Sequence, residues 1–130
     1  MKILAVNASP RRKNSNTLRL VEAALTGAAD AGADTELLDI CEYDIGYCTG
    51  CGICYQTGEC PVKDDYTDIL SRMQAADGLI IGTPVYINAV TAQLKTLLDR
   101  MADVIHCQAF TGKYGIVVAT GGGGGTDEVI

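Results

Sequence analysis

The sequence predicts an α/β protein built on a doubly wound parallel sheet. Three observations carry this. Short apolar runs alternate along the whole chain with stretches of helical periodicity, and such alternation gives parallel strands joined by right-handed crossover helices. The runs are apolar almost throughout, as in KILAVN, which suits strands buried on both faces. The chain of 130 residues is long enough for one domain with a core, and it contains no internal repeat and no interdomain linker.

The first strand is predicted over Lys2 to Asn7 and runs into the turn-rich SPRRKNSNT. Leu18, Val21, Leu25 and Ala28 then recur at spacings of three and four, with Asn14, Ser15 or Asn16 as N-cap and Gly32 at the C-terminal end. A second strand follows around Thr35 to Ile40, and a cysteine-rich loop interrupts the order. Asp64 and Asp65 precede a short helix with Ile69, Leu70 and Met73 on one face, acidic residues being favourable at a helix N-terminus. A third strand is expected over Gly78 to Thr83. A third helix carries Leu94, Leu97, Leu98 and Met101, and a fourth strand runs from Tyr114 to Ala119 into five glycines. Thr126-Asp127-Glu128 reads as the cap and first turn of a fourth helix. The C-terminal strand and helices of a five-stranded sheet are therefore expected to be missing from the chain.

A net charge of −6 disfavours nucleic acid as a partner, and no apolar segment has transmembrane length. The N-terminus MKILAV enters a strand directly, and with the cysteine usage this points to a cytoplasmic protein.

Cys48, Cys51, Cys54 and Cys60 are spaced C-x2-C-x2-C-x5-C and followed by Pro61. A core does not ask for thiols on a loop rich in Gly and polar residues, whereas a metal does. The spacing resembles the compact iron–sulfur run of bacterial ferredoxins, with Gly50, Gly52 and Gly58 able to bend the backbone around a cluster. Zinc held by four cysteines, a redox-active CxxC pair and free thiols are the competing readings.

Three further loops follow strand ends: Ser9–Thr17, Thr83–Asn88 and Thr120–Gly125. In a doubly wound sheet they converge beyond the carboxyl ends of the strands, where ligands bind. The first offers hydroxyls, cationic side chains and a helix N-terminus, the equipment for a phosphate. It lacks GxGxxG and GxxxxGK[ST], which favours a mononucleotide over dinucleotides and nucleoside triphosphates. The second has the stiffening Pro84 and the ring of Tyr86, suited to the edge of a planar heterocycle. The third lets backbone approach a flat ligand closely.

Together ASPRRKNSNT at 8–17, CTGCGICYQTGECPVKDD at 48–65, AADGLIIGTPVYINAVTAQLKTLLDR at 75–100 and the glycine run resemble the flavodoxin-like superfamily. Within it they resemble the iron–sulfur flavoproteins of the NADPH-dependent FMN reductase group, over nearly the whole chain. The resemblance implies one flavodoxin-like FMN-binding domain over 1–130, with a cysteine-rich loop at 48–60 and a truncated C-terminus. It implies that Ser9, Arg11, Ser15, Asn16 and Thr17 hold the FMN phosphate, that Pro84, Val85, Tyr86 and Asn88 line the isoalloxazine, and that Thr120, Gly121 and Gly122 lie along its other edge. Cys48, Cys51, Cys54 and Cys60 would hold a [4Fe–4S] cluster. The implied activity is that of an FMN-dependent oxidoreductase or electron-transfer flavoprotein that converts between two-electron and one-electron transfer. Reduced ferredoxin or NAD(P)H would be the donor, and a homodimer or homotetramer the assembly. Many relatives with this loop carry only some of the cysteines and no cluster. The alternatives are thus an NAD(P)H-dependent FMN or quinone reductase without a cluster, and a zinc-stabilised flavin-binding module.

No residue is assigned an acid or base role. His106, Cys107 and Cys41 read as ordinary surface or half-buried residues, and Met73 and Met101 as core. Lys95, Asp99 and Arg100 read as a solvated helix face with Lys95 and Asp99 paired.

Overall fold

A computed structural model describes residues 1–130, the side chain of Asp103 excepted. Four strands, β1 (Lys2–Asn7), β2 (Asp34–Asp39), β3 (Gly78–Pro84) and β4 (Tyr114–Thr120), form one sheet in the order β2-β1-β3-β4. All pairings are parallel, with Ala5 opposite Leu37 on one side and Ile80 on the other. This is the order of a flavodoxin-like sheet, and its switch point lies between β1 and β3.

Period-two alternation splits the strands between two cores. On one face Leu4, Val6 and Leu38 pack with Ile69 and Met73 of α3 (Tyr66–Ala75) and with Leu94 and Leu97 of α4 (Ala92–Arg100). On the other, Ala5 and Ile80 pack with Val21 of α1 (Asn16–Asp30). That face is covered by α1, which touches all four strands. Gly82 permits the close approach: a Cβ there would stand 2.5 Å from Val21 Cγ2 and 3.2 Å from Thr17 Cγ2.

Ser15 is the N-cap of α1, its Oγ accepting from the Leu18 N–H at 3.1 Å. Gly32 follows the helix in the left-handed region (φ 86°), where a glycine costs least. β2 begins and ends one residue earlier than expected. Asp39 caps a 3₁₀ turn over Ile40–Glu42 by accepting from the Cys41 N–H, and this takes Ile40 out of the strand. Two short helices were not expected. One, α2 (Ile53–Thr57), lies inside the cysteine loop between Gly52 and Gly58, both at positive φ. The other, α5 (Ala102–His106), continues from α4. At Thr126 the expected helical start is one turn, with Val129 and Ile130 N–H groups donating to the Thr126 carbonyl. No helix among the described residues is long and apolar enough to cross a membrane.

The helix stripe of α4 holds one correction. Arg100 is not on a solvated face; it is 3% exposed. It stands three residues after Leu97 and beside Met101, within the apolar stripe, and its charge is met by Asp64. Lys95 and Asp99 do pair on the exposed face.

Candidate functional site

The loops after β1, β3 and β4 meet around one cavity of about 270 Å³, near the lower end of the ligand-site range of about 300–1,000 Å³. It is lined by Ser9, Arg11, Ser15, Asn16, Thr17, Pro84, Val85, Tyr86, Thr120, Gly121 and Gly122. The sequence-predicted residues are therefore brought together, with one exception. Asn88 belongs to a tight turn closed by paired hydrogen bonds between Tyr86 and Ala89, in which Ile87 and Asn88 both have positive φ. Its amide oxygen faces Gly125, where a Cβ would stand 2.9 Å away. The neighbouring Ile87 is 98% exposed, an unusual place for a β-branched residue at positive φ.

Hydrogen bonds tie the three loops into one frame. Thr17 Oγ1 meets Thr120 Oγ1 at 2.6 Å, and the Val85 N–H donates to the Thr120 carbonyl at 2.8 Å. Ala8 donates to Gly82, and Thr91 Oγ1 donates to the Ala8 carbonyl at 2.9 Å while capping α4. The basic residues of the Ser9–Thr17 loop divide their work. Arg12 turns away, its guanidinium donating to the Cys41 carbonyl at 2.9 Å, and leaves Arg11 to line the cavity.

The donors around this cavity suit an oxyanion. Ser9 is fully buried and its Oγ has no partner, an expensive state for a hydroxyl unless a ligand completes it. The first turn of α1 adds backbone N–H groups that lack intrahelical acceptors, those of Asn16 and Thr17 among them, and the positive end of the helix dipole.

A second cavity, of about 130 Å³, is lined by Cys48, Cys51, Cys54 and Cys60, with Tyr55, Val62, Asp99, Arg100 and Ala102 among its other walls. Gly50, Gly52 and Gly58 all have φ between 66° and 74°, so the loop folds back at each. The Gly50 N–H donates to Cys48 Sγ at 3.4 Å, the kind of contact that stabilises a thiolate ligand. Among the described residues no three His, Cys, Asp or Glu side chains stand close enough together to hold a metal ion. The donor set still fits a metal centre: four thiols share one cavity on a loop of permissive glycines.

Cys41 and Cys107 do not line that cavity. Burial, with Asp39 beside it, pushes the Cys41 thiol up to about 11, which keeps it protonated and a poor ligand. His106 stands edge-on to Tyr55 at 6.0 Å and braces α2 against α5.

The whole chain, residues 1–130, matches the profile of the family described as NADPH-dependent FMN reductase. The chain belongs to that family. Among its relatives is an iron–sulfur flavoprotein of Methanocaldococcus jannaschii, 40% identical over 121 residues, covering 93% of this chain and 62% of that protein. Another, the iron–sulfur flavoprotein of Methanosarcina thermophila, is 35% identical over 133 residues and covers 100% of this chain and 69% of that one. The chain thus spans about three fifths of the first relative's length. Among solved structures, the NAD(P)H:quinone oxidoreductase from Methanothermobacter marburgensis superposes with a TM-score of 0.75 at 22% identity, covering 98% of this chain and 67% of that one. That likeness bears on the fold alone.

Sequence reasoning missed Arg100 and Asp64 beside the cysteine cavity. Arg100 Nη1 donates to Asp64 Oδ2 at 2.7 Å and to the Gly46 carbonyl at 2.9 Å, and its guanidinium lies 4.4 Å from the Tyr66 ring centre. Burial pushes the Asp64 carboxyl up, but Arg100 and the N–H groups of Gly46 and Tyr66 outweigh it and hold it below the usual range. The signal was the helical spacing of Arg100 from Leu97.

Proposed function

We propose that the protein is an FMN-dependent oxidoreductase whose cysteine loop carries a [4Fe–4S] cluster, so that it exchanges electrons in pairs on one side and singly on the other. The observation that carries this reading is the pair of cavities: one chain gathers an unpartnered buried Ser9 hydroxyl at a helix N-terminus and four cysteines around a separate hollow. The names of the family and of its iron–sulfur relatives support it.

When bound, FMN supplies hydride and single-electron chemistry and a cluster supplies single-electron transfer. The chain supplies position. Ser9 Oγ, Arg11, Ser15 and the N–H groups of Asn16 and Thr17 hold the phosphate. Pro84, Val85 and Tyr86 line the ring, and Gly121 and Gly122 let backbone approach its other edge without side-chain interference. Cys48, Cys51, Cys54 and Cys60 ligate the cluster. Asn88 faces the glycine run at Gly125. NAD(P)H or a reduced ferredoxin is the donor, and a homodimer or homotetramer covers the loop, where Tyr47 is 81% and Tyr55 59% exposed.

The test is anaerobic turnover. With NADPH or reduced ferredoxin as donor, the protein reduces a one-electron acceptor such as cytochrome c, and Cys48→Ala slows this while flavin bleaching by the donor persists. Equal turnover by wild type and Cys48→Ala supports the second reading, a reductase without a cluster, which the spread of the four thiols favours.

A further inference from the structure

Arg100 ends α4 with its side chain 1% exposed. A buried guanidinium is costly unless its donors are used. Two bonds go to the Asp64 carboxylate and one to the Gly46 carbonyl. Its Nε–H is buried without a partner. These contacts fall on both flanks of the cysteine loop, since Gly46 stands shortly before Cys48 and Asp64 shortly after Cys60. Gly46 fits this close: a Cβ there would lie 3.2 Å from Asp64 Oδ2. The same guanidinium lines the cavity of the four cysteines. Cys60 stands in the same cavity wall. A plain structural tie needs neither the spare donor nor a place in the cavity wall, because an apolar pair of similar volume packs as well.

We propose that Arg100 is a positioning residue of the four-cysteine site: it clasps the two ends of the loop through Gly46 and Asp64 and sets a fixed positive charge against Cys60, which slows the loss of iron and raises the reduction potential of the cluster. This rests on the reading of the loop as a cluster site. Donors and positive charge near a ligating sulfur stabilise the reduced, more negative state, which moves the potential upward. Lysine would not replace arginine, since an ammonium cannot span a carboxylate and a carbonyl with a planar fork.

The experiment uses the full chain, purified anaerobically and reconstituted with ferrous iron and sulfide. Wild type, Arg100→Lys and the double variant Arg100→Gln/Asp64→Asn are compared, the last so that neither buried charge is left alone. The cluster potential is read by a mediated titration followed by electron paramagnetic resonance, iron loss by the rate of transfer to a ferrous chelator, and folding by bound FMN. The double variant removes a positive charge that lines the cavity and a negative one that does not; it is expected to keep FMN, lose iron several-fold faster and show a roughly tenfold lower reduced-to-oxidised ratio at fixed potential, about 59 mV for a one-electron couple. Arg100→Lys is expected to keep most of the potential and lose iron faster. An unchanged potential and iron-loss rate in a double variant that holds FMN overturns the role of Arg100 and leaves the cluster reading standing. A wild type that holds FMN but takes up no iron overturns the cluster reading itself, and this proposal with it. If the double variant does not fold, Arg100→Lys decides, and iron loss as slow as wild type overturns the proposal.

Discussion

Replacing Gly82 by alanine tests how the sheet positions the Ser9–Thr17 loop. The new Cβ would stand 2.5 Å from Val21 Cγ2, 3.2 Å from Thr17 Cγ2 and 3.6 Å from the Val6 carbonyl oxygen. Carbon atoms rest at about 3.5–4.0 Å, so α1 must withdraw by about 1 Å at Val21. Overpacking of this kind costs about 1–3 kcal/mol, which for a domain of this size lowers Tm by roughly 4–12 °C. The displacement also reaches Thr17 and its 2.6 Å contact with Thr120, and through them the donors around Ser15. FMN affinity is therefore expected to fall by about tenfold, close to the loss of one hydrogen bond to a charged group at about 1.5 kcal/mol. The assay is thermal unfolding without FMN and a fluorescence titration with it. Gly115→Ala, where a Cβ meets nothing within 4 Å, is the control and should do neither. Val21→Ala removes the clashing methyl, so Gly82→Ala should cost less in that background than in wild type. Unchanged Tm and unchanged affinity in Gly82→Ala would refute the claim that α1 is seated by the missing side chain.

The other predictions concern single side chains. Ser9→Ala removes a buried hydroxyl that has no partner; the protein without FMN should be as stable as wild type or more so, while FMN binds about tenfold more weakly, a loss of roughly 1.5 kcal/mol, and equal affinity in a titration would count against the phosphate site. Asp64 and Glu36 are both held below the ordinary carboxylate range, Asp64 against burial by Arg100 and Glu36 first by Lys2 and then, against burial, by Arg72. Their stabilisation is full above the unfolded values of about 3.9 and 4.3 and is lost as pH falls through the lower folded values. Urea unfolding should therefore weaken below about pH 4 in wild type, and Asp64→Asn should be less stable at pH 7 with a shallower acid loss. Cys60→Ala should lose iron and keep FMN, and Cys41→Ala should lose neither; iron analysis giving the reverse would exchange the ligand assignment.

Much of this was legible from local chemistry. The sequence narrows the N-cap of α1 to Asn14, Ser15 or Asn16, of which Ser15 takes the place, and the turn residues after each apolar run announced where the strands end. What escaped depended on partners distant in sequence. Arg100 reads as one more charge beside the Lys95–Asp99 pair until Asp64, on the far side of the cysteine loop, is seen to bury it. The resemblance groups Asn88 with the ring-lining residues; what the sequence does not show is that two successive positive φ values set its amide oxygen against Gly125. Ile87 gives no warning of that turn, since a β-branched residue argues against positive φ. The helix α2 is too short for a periodic signal and rests on the two glycines that flank it.

The measurement closest to the central claim is the metal, acid-labile sulfide and flavin content of the anaerobically purified chain, read together with its visible spectrum. The account predicts about one FMN, four iron and four sulfide per chain, with flavin bands above a broad absorbance that Cys60→Ala removes. FMN accompanied by zinc, or by no metal after reconstitution with iron and sulfide, would contradict it.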